Sequence, residues 1–133
     1  MTDPGQPRSN EAIVRIVNGP LVAPVLSRVV GMLAARAQCP VDRLDDALLV
    51  ADAIAAHTQT HTTDGYVTVR LVARGDAIEL HVAELERGGA RGLLADASLP
   101  GVGNVLERIA DEVNVQSGDD GREVLSLKLS FAG

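Results

Sequence analysis

Two stretches of the chain carry groups suited to catalysis or ligand binding. Leu48-Leu49-Val50-Ala51-Asp52-Ala53-Ile54-Ala55-Ala56-His57 is nearly all apolar, with one carboxylate in its middle. About fifty residues on, Pro100-Gly101-Val102-Gly103-Asn104-Val105-Leu106 reads as a glycine hinge opening a helix. A carboxylate on an apolar helix is a candidate acid–base group, and backbone amides at a glycine-rich helix start can cradle phosphate. This pairing suits a nucleotide lying across a helix and a sheet. Each stretch also has a plainer account: Asp52 at the solvent edge of its helix, and Gly101 and Gly103 as a loop-to-helix hinge after Pro100.

Other chemistries find less support. His57 and His61 have the i, i+4 spacing of a helical metal pair, but the Thr and Gln residues around them end the helix and no third ligand is evident. No metal site is expected. His81 reads as an exposed strand residue, since Leu80 and Val82 take the buried face. Cys39, before Pro40, has no neighbouring base to lower its pKa and reads as a packing residue. No Gly-x-Ser-x-Gly occurs, and the only lysine, Lys128, lies in the last strand, which excludes a P-loop.

With 133 residues, 46% of them hydrophobic, the chain can build one core. That core must be aliphatic, because only one Tyr, one Phe and no Trp are present. The same shortage leaves almost nothing to stack on exposed bases, and the net charge of -6 opposes nucleic acid. The single cysteine fits a reducing cytoplasm. No apolar run approaches the ~20 residues of a membrane span, and the start of the chain lacks the order of a signal peptide. A soluble, cytoplasmic protein is expected, with neither nucleic acid nor membrane as partner.

Residues 1–10 read as a disordered leader and 11–133 as a single domain. Glu11 to Val17 is a strand, stopped by Asn18-Gly19-Pro20. From Leu21 to Gln38, apolar residues recur at helical spacing, with Arg28 and Arg36 on the other side. Asp42 precedes a second helix over about 43–57. Tyr66–Ala73 and Ala77–Glu84 alternate with period two around a glycine-containing link, the pattern of a hairpin. In it, Thr68, Arg70, Glu79 and His81 face outward. Residues 85–100 read as a long mobile connection with at most a short helix at 92–97. A third helix follows Gly103 and ends near Glu112 or Val113. A second hairpin closes the chain, with Leu125, Leu127, Leu129 and Phe131 inward. These elements predict a two-layer α/β sandwich: a mixed, mostly antiparallel sheet of about five strands, with three helices on one face.

This order, with the two opening stretches, resembles the Bergerat-fold (GHKL) ATPases. It most closely resembles the small anti-sigma-factor serine kinases of bacterial partner-switching systems, over about Ile13 to Phe131. In that family the second helix carries Leu-Ala-Val-Ser-Glu-Ala-x-x-Asn-Ala, and Leu48 to His57 falls on it. The resemblance matches the family's general base with Asp52 and its magnesium-binding asparagine with Ala56. Asp52 keeps a carboxylate one methylene shorter, while Ala56 offers no oxygen. The family's Asp-x-Gly-x-Gly turn falls at Glu84-Leu85-Glu86, with Gly88-Gly89 just beyond. Glu84 then takes the place of the adenine-binding aspartate. Glu86 stands where a glycine admits the base, its bulk and charge opposing an anionic ligand. The family's Gly-x-Gly-Leu survives in part as Gly101-Val102-Gly103, with Asn104 in the leucine place.

The resemblance implies ATP and Mg²⁺ as cofactors of a site whose motifs here are damaged, and it leaves two functions open. One is a regulatory protein acting mainly by contact with a sigma factor or an anti-sigma antagonist, its ATP site eroded. Its first strand and helix would pair two protomers in a homodimer, and the apolar density of Leu21 to Ala37 exceeds the need of one core-facing stripe. The other is an active ATP-dependent serine protein kinase, with Asp52 as base, Glu84 holding adenine, and Gly101 and Gly103 holding phosphate.

Overall fold

The computed structural model describes residues 10–131. The expected leader lies outside them except for Asn10, which opens the first strand. In chain order the elements are β1 (Asn10–Val17), α1 (Val22–Arg36), α2 (Val41–His57), β2 (Tyr66–Ala73), β3 (Ala77–Leu85), α3 (Gly89–Asp96), β4 (Ser98–Leu99), β5 (Gly103–Asn104), α4 (Val105–Ile109), β6 (Glu112–Ser117) and β7 (Glu123–Ser130). Five strands form one sheet in the order β1-β2-β3-β7-β6, and β4 and β5 form a separate two-stranded ribbon. Every pairing in the main sheet is antiparallel, so the sheet is not mixed. The helices pack on one face, giving the two-layer α/β sandwich expected from the sequence.

The strand period of two decides which face is covered. Val69 pairs with Val82 and Leu71 with Leu80; Leu80 and Val82 in turn pair with Leu127 and Leu125. All are buried, with Val67 and Leu129 on the same face. Val22, Leu26 and Val30 of α1 and Ala47, Val50 and Ile54 of α2 meet them in one aliphatic cluster. Each fully buried Val, Leu or Ile contributes about 1.5–3 kcal/mol relative to an exposed one.

Three expectations need correction. Four helices form rather than three: the short helix allowed at 92–97 within the connection at 85–100 is α3, which starts earlier, at Gly89. Gly89 and Gly92 lower its intrinsic helix propensity, yet Ala90 and Leu93 are buried and Ala97, just past its end, is buried too. The helix after Gly103 is also shorter than expected. It stops at Ile109; Ala110 turns extended, and the Asp111 amide donates to the Lys128 carbonyl at 2.8 Å, drawing the chain into β6. Val113, read as the end of that helix, lies opposite Leu127 in the sheet. Finally, α2 starts at Val41, with Asp42 inside its first turn rather than ahead of it.

Polar side chains join the layers. Arg43 of α2 donates to the Ser130 carbonyl at 2.9 Å, the Ile109 carbonyl at 3.2 Å, Asp46 at 2.8 Å and Asp111 at 2.5 Å. The Ser130 amide and Arg43 together hold the Asp111 carboxyl below the usual aspartate range. On the other side of α3, the His61 ring lies 2.8 Å from Asp96 through Nε2, and the His61 carbonyl accepts from the Glu86 amide at 2.8 Å.

This packing explains Gly92. A Cβ there would stand 2.5 Å from His61 Cε1 and 2.9 Å from its Nδ1, so the ring needs the bare backbone. Gly92→Ala is therefore expected to destabilise the chain, although Ala is the better helix former by about 1 kcal/mol. In a His61→Ala background the same change is expected to stabilise by up to about 1 kcal/mol. Denaturant unfolding of the four proteins tests this, and an identical effect of Gly92→Ala in both backgrounds would refute it.

Candidate functional site

Asp52 projects from the exposed side of α2 and accepts a hydrogen bond from Ser27 of α1 at 3.2 Å. One turn on, Ala56 is also exposed, and a methyl group supplies no ligand atom to a cation. Glu84 stands at a bulge near the end of β3, where the register with β7 shifts between Val82 and Leu85. Its φ of 57° is left-handed, and the Thr63 amide and hydroxyl both donate to its carbonyl, at 3.0 and 3.2 Å. Its carboxylate is paired with Arg122 at 2.5 Å.

The Gly101-Val102-Gly103 stretch is the turn of the β4–β5 ribbon rather than the first turn of a helix. Both glycines have left-handed φ, 77° and 90°, and both are exposed. Asn104 sets the start of α4: its side-chain oxygen accepts from the Glu107 amide at 3.1 Å, and its Nδ2 donates to the Leu94 carbonyl. Asn104 is thus a helix cap tying α4 to α3. Among the described residues, no hydrogen bond or ion pair links Asp52, Glu84 and this turn to one another.

A feature not anticipated from the sequence lies beside Glu84. The Glu123 carboxylate, buried at the start of β7, accepts from the Gly88 amide and the Ala90 amide, each at 3.0 Å. Gly88 permits this through its left-handed φ of 78° at the N-cap of α3. A protein carboxylate therefore takes the donors that a helix start offers to an anion. These amide bonds, Gly88 first and then Ala90, hold the Glu123 carboxyl below its ordinary value of 4.5, helped by Arg91 and Arg87. The sequence did contain a signal. Position 123 is in phase with the inward Leu125, Leu127 and Leu129, so a glutamate there needed an internal partner.

A hollow of about 490 Å³ opens between α3, α4 and β6, lined by Arg91, Leu94, Glu107, Ala110, Asp111, Val113 and Val115. None of Asp52, Glu84, Gly101 and Gly103 lines it. No group of three or more His, Cys, Asp or Glu side chains among the described residues is placed to hold a metal. The His61 ring is engaged with Asp96 and Gly92, as described above. Cys39 lies beside the Pro40 carbonyl, and burial pushes its thiol up, away from the reactive thiolate.

Glu123→Gln keeps the shape but loses the charge, and is expected to cost about 1–2 kcal/mol at neutral pH. Because folding lowers this carboxyl's pKa, its stabilisation is complete above the unfolded value and is lost as pH falls through the folded one. The gap between wild type and variant should therefore close below about pH 4.5. Urea melts across that range test it; a gap that stays constant into acid would contradict the anchoring role.

No family model matches the sequence, and no curated protein matches it. No helix among the described residues is long and apolar enough to cross a membrane. A solved structure shares the fold: one chain of the SiaB-SiaC complex from Pseudomonas aeruginosa aligns with a TM-score of 0.58 at 14% identity, over 90% of this chain and 89% of that one.

Proposed function

We propose that this chain is a bacterial cytoplasmic regulator of the anti-sigma-factor-kinase type, acting by protein contact in a partner-switching pathway, with an eroded ATP site. The observation that carries this reading is the outer side of α2, where Asp52 is tied to Ser27 and Ala56 presents a methyl group in place of a magnesium ligand. The donor set does not fit Mg²⁺. Glu123 strengthens the case by holding the amides at the start of α3.

Contact surfaces are available. Ile13 and Val17 on the outer side of β1 are 68% and 53% exposed, and Leu21 and Met32, before and within α1, are 58% and 62% exposed. Large apolar groups concentrated on the first strand and helix suit a homodimer or a sigma-factor or antagonist partner. The SiaB-SiaC complex is itself an assembly of two proteins. A shared fold with one of its chains supports a protein-binding role for this scaffold.

The kinase alternative draws on one observation: Gly101 and Gly103 lie exposed in a left-handed turn, although the Val102 amide between them donates to the Leu99 carbonyl at 3.1 Å. In that reading Asp52 is the base and Glu84 would have to exchange Arg122 for adenine.

Calorimetric titration with ATP and ADP, with and without Mg²⁺, separates the two. The eroded-site reading predicts no saturable heat up to about 1 mM nucleotide; Mg²⁺-dependent micromolar binding would overturn it in favour of the kinase. For the dimer, sedimentation at about 100 μM should show a species that Ile13→Lys with Met32→Lys converts to monomer. A wild-type monomer at that concentration would remove the homodimer from the proposal.

A further inference from the structure

The open face of the sheet carries a chain of polar side chains independent of the nucleotide question. Arg70 pairs with His81 across β2 and β3, His81 with Ser126 across β3 and β7, and Ser126 with Asn114 across β7 and β6. Within this row, His81 Nδ1 lies 2.7 Å from Ser126 Oγ, and His81 Nε2 lies 3.2 Å from Glu79 Oε1. The second oxygen of Glu79 is 3.3 Å from Arg74 Nε. The His81 and Glu79 side chains are only 22% and 20% exposed, so neighbouring strands restrain both.

Partner chemistry sets the protons. A carboxylate only accepts, so the nitrogen facing Glu79 carries the hydrogen, and Nδ1 offers its lone pair to the Ser126 hydroxyl. Nucleophile, base and orienting carboxylate thus stand in the relation that activates a serine, with Arg74 steadying the far end. Two shallow hollows flank the hydroxyl. One, of about 420 Å³, is lined in part by Arg70, Asn114 and Gln116. The other, of about 160 Å³, is lined in part by Glu112 and Lys128.

We propose that Ser126 is the nucleophile of an acyl-transfer site on the open sheet face, with His81 as general base and Glu79 as its positioning residue. The substrate class is small activated esters, because the hollows are open and hold no deep pocket. Ser126 Oγ forms the new bond to the ester carbonyl carbon as its proton passes to His81 Nδ1. The ester C–O bond then breaks, and the leaving alkoxide takes that proton, leaving Ser126 acylated. Water attacks this acyl group, giving its proton to His81, and the carboxylic acid departs as Ser126 regains its hydrogen. The Asn114 side chain lines the larger hollow beside Ser126 and offers its amide to the developing oxyanion, while Arg70, on the same hollow, is paired with Glu11 at 2.6 Å.

The test treats the full chain with p-nitrophenyl acetate, follows p-nitrophenolate release, and maps the acetyl group by peptide mass. Acetylation is expected on Ser126 well ahead of the exposed Ser98 and Ser117, and Ser126→Ala should remove it. His81→Ala is expected to slow acetylation at Ser126 by about 10²-fold or more, with partial rescue by added imidazole. Glu79→Gln should lower the maximal rate while leaving the ester concentration at half-maximal rate unchanged. Circular dichroism checks that each variant is folded. Acetyl groups spread evenly over exposed serines of the wild type, or undiminished labelling of Ser126 in His81→Ala, would overturn the proposal and leave the row a structural ladder.

Discussion

One-sided burial of the sheet governs the rest of this molecule. The central strands β2, β3 and β7 place aliphatic side chains on alternate positions, and paired rows such as Leu71, Leu80 and Leu127 run straight across them. Such a face can be removed from water only by a second layer, so α1 and α2 must lie on it. With no aromatic ring among the buried residues, the fit relies on branched side chains packed against alanines such as Ala47, Ala51 and Ala55. The other face keeps Thr68, Arg70, Glu79, His81 and Lys128. A hydrogen-bonded row can survive there because no helix covers it.

Charged groups act mainly as joints between these layers. Glu123 meets the start of α3, His61 meets its far end through Asp96, and Asp111 is shared by Arg43 and the end of β7. The Glu123 and Asp111 joints satisfy backbone amides at element termini that would otherwise need water or a ligand, while the His61–Asp96 contact joins two side chains. At the start of α3, where a helix could receive an anion, this chain supplies its own carboxylate.

The layers and their faces were legible in the sequence because period two and period 3.6 are strong signals over eight or more residues. The strand bounds Tyr66 and Ala73 and the outward placement of Glu79, His81 and Ser126 all follow from alternation. Helix α3 was obscured because Gly89 and Gly92 are poor helix formers, and the reason for Gly92 is a contact with His61, thirty-one positions away. Val113 could have continued either a helix or a strand; a hydrogen bond from Asp111 to the last strand decided it. Of the candidate site, the sequence supplied residue types but not their neighbours. Ser27 at Asp52, Arg122 at Glu84 and Ser126 at His81 are all cross-element partners, set by register and helix rotation rather than by local pattern.

Arg43 joins its own helix to the end of α4, the residue just before β6 and the last residue of β7. Three of these partners are more than sixty residues away, so the guanidinium finds them only after the loops between have closed. Closing those loops costs chain entropy that the sheet pairings of β7 with β3 and β6 must offset before the clasp can hold. A single side chain near the start of α2 thereby fastens the helical layer to the last strand of the sheet and to the turn that leads into β6.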